Sequence, residues 1–254
     1  IRRPPRSTQG VSSAASDVYK RQLKKVHMGM EEHTATIMVI HRMNKNNEIL
    51  TLVQLFSSSF PVGSFAYSHG MESAIDDGLI TNANDLEQWL SCLLTQGGAW
   101  SDAAFLNIAF DVESSNVHYI NSFAKAFASS NERLKETELQ GHAYCEAVNS
   151  IWDLNLKKLC YPVAVARSAN ALNLSIELTT IMYLNAFVVN MCNVAMRLVP
   201  LGQTDGQQVQ TSLKQKVLMV FGGIIGQALM TDVQLFFALH CWTIFTVLLD
   251  TRGD

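Results

Sequence analysis

The sequence predicts an all-α protein, a single compact bundle of roughly eight to ten helices with mixed packing angles. Three observations carry this. Apolar residues recur at helical spacing from Glu48 onward, no segment shows sustained period-two alternation between hairpin turns, and the breaks hold Pro, Gly and capping residues. Hydrophobic residues make up 48% of the 254-residue chain, ample for a sizeable core.

Residues 1–27 mix Arg, Pro, Ser and Gly without an apolar period, so they read as a disordered or artefactual leader resembling translated adaptor sequence. Residues 28–47 form an N-terminal segment of no clear type, with Met28, Met30, Met38 and Met43 as candidate starts. In the helical domain, 48–232, Ile49, Leu52, Val53 and Phe56 share one helix face. Pro61, Gly63 and Gly70 then punctuate a turn region, followed by a short helix over 71–78. Asn82 or Asn84 caps the next helix, whose stripe is Leu86, Trp89, Leu90 and Leu93. Gly97-Gly98 precedes a helix over 100–113, and another spans 117–128.

Ser130 opens a long helix to about Trp152, polar in its first half and more apolar in its second. Pro162 suits a first helical turn, and that helix ends near Asn173. Ser175 starts the next, with Glu177 in its first turn, and Val199-Pro200-Leu201-Gly202 ends it. Thr204 is the expected cap of the last helix, with Asp205 in its first turn and an end near Val220, where Gly222, Gly223 and Gly226 loosen the chain.

Charged residues are only 16%, which leaves apolar surface for a subunit interface. The net charge of -3, with no basic patch, gives no reason to expect nucleic acid. Five scattered cysteines without CxxC spacing read as small buried hydrophobes in a reducing compartment, hence the cytoplasm. No apolar signal core is visible at the N-terminus. The apolar run 181–199 contains Asn185, Asn190, Asn193 and Arg197, and 233–249 contains Gln234 and His240. Both read as non-membrane segments.

The chemistry-bearing patterns are sparse. Ser68 and His69 are adjacent, which rarely suits a nucleophile and its base, and no GxSxG surrounds the serine. The seven histidines show no HxxxH, HExxH or HxH spacing, so no preformed metal site is legible. Gly222-Gly223 with Gly226 follows a helix and lacks the Lys-Ser/Thr of a phosphate loop. No cofactor is expected. Two dense clusters remain, 60–73 and 196–207. Ordinary helix-loop-helix chemistry accounts for much of them, yet Gln203, Asp205 and Gln207 exceed what a turn needs and suit a protein contact. That assignment requires that no buried pocket with converging ionisable side chains lie inside the bundle.

Both clusters resemble signatures of the urease accessory protein UreF family. Pro61-Val62-Gly63-Ser64-Phe65-Ala66-Tyr67-Ser68-His69-Gly70-Met71-Glu72 is similar to its early PVGGFSYSxGLE-like motif, and Arg197 to Gln207 matches RLVPLGQTDGQ without a gap. Tyr161-Pro162-Val163 before an alanine-rich helix is also family-like. The resemblance covers about residues 50–232 and implies an all-α homodimer without catalysis. It implies an adaptor between a UreD/UreH-type scaffold subunit and the UreG-type GTPase, loading nickel into apo-urease and controlling GTP hydrolysis. It further implies partner-binding roles for Pro61, Gly63, Tyr67, Ser68, His69 and Glu72, and for Arg197, Gln203, Thr204, Asp205 and Gln207, with Glu72 facing the GTPase. Two departures stand out. Ser64 and Ala66 replace the commoner Gly and Ser, and 233–254 lacks the family's HETQYTRLFRS-like basic tail, as a reading-frame error near Val233 or divergence would produce. The alternative from another class is a helical metal-binding or storage protein using scattered His and Cys.

Overall fold

The computed structural model describes residues 42–63 and 67–228, with backbone only at Gln227 and Ala228. The leader, Ser64 to Ala66 of the early motif, and the tail from 229 lie outside the described residues. The chain divides into two units, Ile1–Leu50 and Thr51–Asp254. In the first, the described residues 42–50 are helical, and Ile49 is largely exposed.

The second unit holds nine helices and no strand among its described residues. They are α1 (51–55), α2 (Met71–Asp76), α3 (Ala83–Thr95), α4 (Gly98–Phe110), α5 (Val117–Ala126), α6 (Asn131–Trp152), α7 (Tyr161–Ala171), α8 (Ile176–Leu198) and α9 (Gln203–Ala228). The all-α bundle expected from periodicity is what forms. Caps set several boundaries. Asn82 Oδ1 accepts from the amides of Asn84 and Asp85, Ser130 Oγ from that of Arg133, and Ser175 Oγ from that of Leu178.

At the centre lies α4, which packs on α3, α5, α7, α8 and α9. Its seven buried residues, Ala99 and Trp100 through Ala109, surround the axis, as expected of a helix enclosed by others. Arg167 of α7 closes its C-terminus: Nη1 donates to the carbonyls of Ala109, Phe110 and Val112 at 3.3, 2.9 and 2.9 Å. Below α4, Tyr144 donates to Ser168 Oγ at 2.8 Å while Ser168 donates to the Val165 carbonyl at 2.9 Å. The apolar helix α8 is long enough to cross a membrane, but half of its most apolar stretch is buried in the bundle. Its Thr180 hydroxyl accepts from Asn107 Nδ2 at 3.0 Å.

Several local expectations change. In α1, Leu52 and Leu55 are buried while Val53 faces outward, so the inward stripe is rotated from the one read in sequence. Thr204 does not cap α9. The helix starts at Gln203, two residues earlier than a Thr204 cap would give, and Asp205 Oδ2 accepts from the Gly202 amide at 2.9 Å, reaching back to the residue just before the helix as in a capping box. Nor does α9 stop at Val220. Gly222, Gly223 and Gly226 are helical, because Val217, Val220 and Ile224 continue one buried stripe across them.

The cysteines divide. Cys145, Cys160 and Cys192 are buried, whereas Cys92 is exposed, contrary to the uniform burial expected. Burial pushes the Cys160 thiol up to about 11 and that of Cys192 to about 12, so both stay protonated at neutral pH. Cys241 is outside the described residues.

Candidate functional site

The early motif folds as a turn whose apolar members anchor it and whose polar members divide between two sides. Phe60, Val62 and Met71 are buried. Pro61 and Gly63 are exposed, Tyr67 and Ser68 partly so, and Glu72 stands exposed beside the fully buried Met71 in the first turn of α2. The chain enters α2 through two consecutive left-handed residues, His69 with φ 50° and Gly70 with φ 79°. Glycine adopts this conformation freely, histidine does not. The Ser68 carbonyl accepts from the Met71 amide at 3.0 Å and closes the turn.

His69 points inward. Its Nε2 lies 3.2 Å from Glu136 Oε1, and its ring meets Phe187 edge-on at 4.9 Å. Glu136 begins a buried chain of charges. Its Oε1 also accepts from Gln140 Nε2 at 3.1 Å, and its Oε2 pairs with Arg133 Nη1 at 2.9 Å. Arg133 Nη2 in turn bonds Asp102 Oδ2, which accepts the Tyr183 hydroxyl at 2.8 Å. The chain ties the motif turn to α6, α4 and α8. Burial pushes the Glu136 carboxyl up, but the His69 hydrogen bond and the charge of Arg133 outweigh it and hold the group below its ordinary value. For Arg133, burial is likewise overcome by Asp102 and Glu136, and its pKa is raised. Burial, with Asp102 alongside, drives the Tyr183 hydroxyl far above its usual range, so it remains a donor.

A cavity of about 140 Å³ runs beside these groups, lined among others by His69, Asp102, Arg133, Glu136, Tyr161 and Tyr183. The requirement that no ionisable side chains converge inside the bundle is therefore not met. They do converge, but they are spent on one another. Two carboxylates share one guanidinium, a tyrosine hydroxyl and an imidazole, an arrangement suited to holding helices in register. His69 consequently belongs with the internal support of the turn and not with its outer face.

Sequence reading missed Asp102, Arg133, Glu136, Gln140 and Tyr183. The first half of α6 reads only as polar, yet Arg133, Glu136, Thr137 and Gln140 fall on the face that continues into buried Tyr144, Cys145 and Val148. A polar stripe in phase with an apolar one was the available signal. Among the described residues no group of three or more His, Cys, Asp or Glu is placed to hold a metal ion.

The late motif lies at the α8–α9 junction. Arg197, Gln203, Thr204 and Gln207 are exposed, Asp205 is half-buried through its bond to Gly202, and Gly206 is buried. Gly206 lies against the Met196 side chain, where a Cβ would come within 2.5 Å of Sδ. The motif thus lets α8 and α9 approach while its longer polar side chains point outward.

The family model for UreF matches residues 80–214. A protein of Ruegeria pomeroyi named urease accessory protein UreF is 45% identical over 163 residues, covering 64% of this chain and 75% of its own length. The protein of that name in Roseobacter denitrificans is 42% identical, covering 75% and 84%. The one in Dinoroseobacter shibae is 43% identical, covering 65% and 77%.

Proposed function

The chain belongs to the UreF family, and from that premise we propose that it serves urease maturation as a cytoplasmic, non-catalytic adaptor. In this reading it works as a homodimer that joins a UreD/UreH-type scaffold subunit to the UreG-type GTPase during nickel insertion into apo-urease, and it modulates GTP hydrolysis by the latter. The observation that carries the reading is the pairing of Glu72, exposed, with Met71, fully buried, at the head of α2. A carboxylate on a turn anchored from beneath loses little freedom on docking, which favours recognition by a folded partner. The exposed Arg197, Gln203, Thr204 and Gln207 offer a second group of hydrogen-bonding side chains on the α8–α9 junction.

Co-expression of the chain with the scaffold subunit and the GTPase tests this. Capture of both partners on a tagged chain supports the proposal. If neither is captured, even when the chain carries a family-like basic tail after Asp232, the proposal is wrong.

A further inference from the structure

We propose that Glu136 is a positioning residue for the docking turn, acting through His69 to hold Glu72 in its outward presentation. The inference rests on the adaptor reading for what Glu72 meets, but its mechanical part stands on the geometry of this chain. His69 occupies left-handed backbone space that an L-residue disfavours. Something must hold it there, and its side chain supplies two restraints: the bond to Glu136 Oε1 on α6 and the edge-on contact with Phe187 on α8. Gly70, next in the chain, caps α2, so the backbone angles of His69 set the direction in which Met71 and Glu72 leave the turn.

Glu136 is itself held by partners on its own helix. Gln140 and Arg133 occupy its two oxygens, and Arg133 is fixed from its other side by Asp102, which Tyr183 holds. A side chain gripped at both ends by helices in the core gives the turn a fixed reference. The charge count favours the same contact. Asp102 and Glu136 bring two negative charges against the single positive charge of Arg133, so a donor N–H aimed at Glu136 is favoured from the turn side. Among the described residues of the motif, His69 is the one whose polar side chain pairs with this carboxylate.

The test uses the full chain with His69→Phe, His69→Gln and Glu72→Ala. Phenylalanine keeps a ring against Phe187 but cannot donate, whereas glutamine can donate an amide N–H to Glu136. Hydrogen exchange of amides 67–74 is read first without any partner, and then capture of the purified GTPase with its scaffold subunit. The expected result for His69→Phe is exchange faster by about tenfold in this segment alone, with α4 and α8 unchanged, and weaker capture. His69→Gln returns both readouts close to those of the parent. Unchanged exchange in His69→Phe overturns the positioning role, as does failure of His69→Gln to restore it. Glu72→Ala separates the two claims: if it leaves capture intact, the docking reading fails while the exchange result still judges the clamp.

Discussion

Gly141 of α6 lies so close to Leu159 that a Cβ on the glycine would sit 2.1 Å from the Leu159 carbonyl oxygen, and 2.6 Å from both Cys160 C and Tyr161 N. These contacts are backbone, which cannot swing aside as a side-chain tip does. The long helix therefore crosses the entry to α7 at a point where only glycine fits, directly after Gln140 and five residues beyond Glu136.

Replacing Gly141 with Ala must push α6 off that strand of backbone. Forced overpacking of this kind costs about 1–3 kcal/mol or more. Urea unfolding followed by circular dichroism should show the loss. Gly222→Ala, where a Cβ would meet nothing within 4 Å in the middle of α9, should be neutral or stabilising.

The pair Tyr144 and Ser168 predicts an asymmetry. Ser168→Ala removes the acceptor for a hydroxyl that is fully buried, leaving a desolvated O–H that costs roughly 1–3 kcal/mol. Tyr144→Phe removes that hydroxyl, while Ser168 keeps its bond to the Val165 carbonyl. Its loss should be the smaller, about 1 kcal/mol. Denaturation midpoints of the two variants check the order.

The Glu136 carboxyl, held below 4.5 in the folded chain, gives a pH dependence of stated sign. A lowered folded-state pKa means stability that is fully present above the unfolded value and is lost as pH falls through the folded one. Stability should therefore decline below pH 4.5. Glu136→Gln should lie below the parent at pH 7, by several kcal/mol if Arg133 is left half-paired, and show a shallower acid decline. Urea titrations at a series of pH values decide this.

The fold was legible where the apolar pattern decided it. The bounds of α8 follow from Ser175 and Val199-Pro200, and those of α6 from Ser130 and Trp152. The misread places share a cause, which is that tertiary packing overrode a local signal. Three glycines looked like a stop near Val220, but each costs only about 1 kcal/mol in a helix, and the buried stripe through Ile224 carries α9 past them. Likewise, the pairing of Arg133 and Glu136 was not legible, because their partners Asp102 and His69 lie 31 and 67 positions earlier in the chain. The motif turns could be located from sequence, whereas the inward side of the early one, His69, could be seen only once α6 was placed beneath it.

Exposed members of the late motif should separate binding from folding. Arg197→Ala, Gln203→Ala and Gln207→Ala remove side chains that face solvent, so each should shift stability by less than about 0.5 kcal/mol. Asp205→Ala, which loses the bond to the Gly202 amide, should cost about 1 kcal/mol. Thermal melts with parallel partner capture would show the three surface variants melting normally while capturing less.

The most direct measurement is nickel-dependent urease activity in cells that lack their own UreF-family protein and are supplied with this chain or its Glu72→Ala variant. Restored activity with the parent, and its loss with a variant that melts at the parental temperature, is the result expected. Equal urease activation by the two chains would contradict the docking role of the turn.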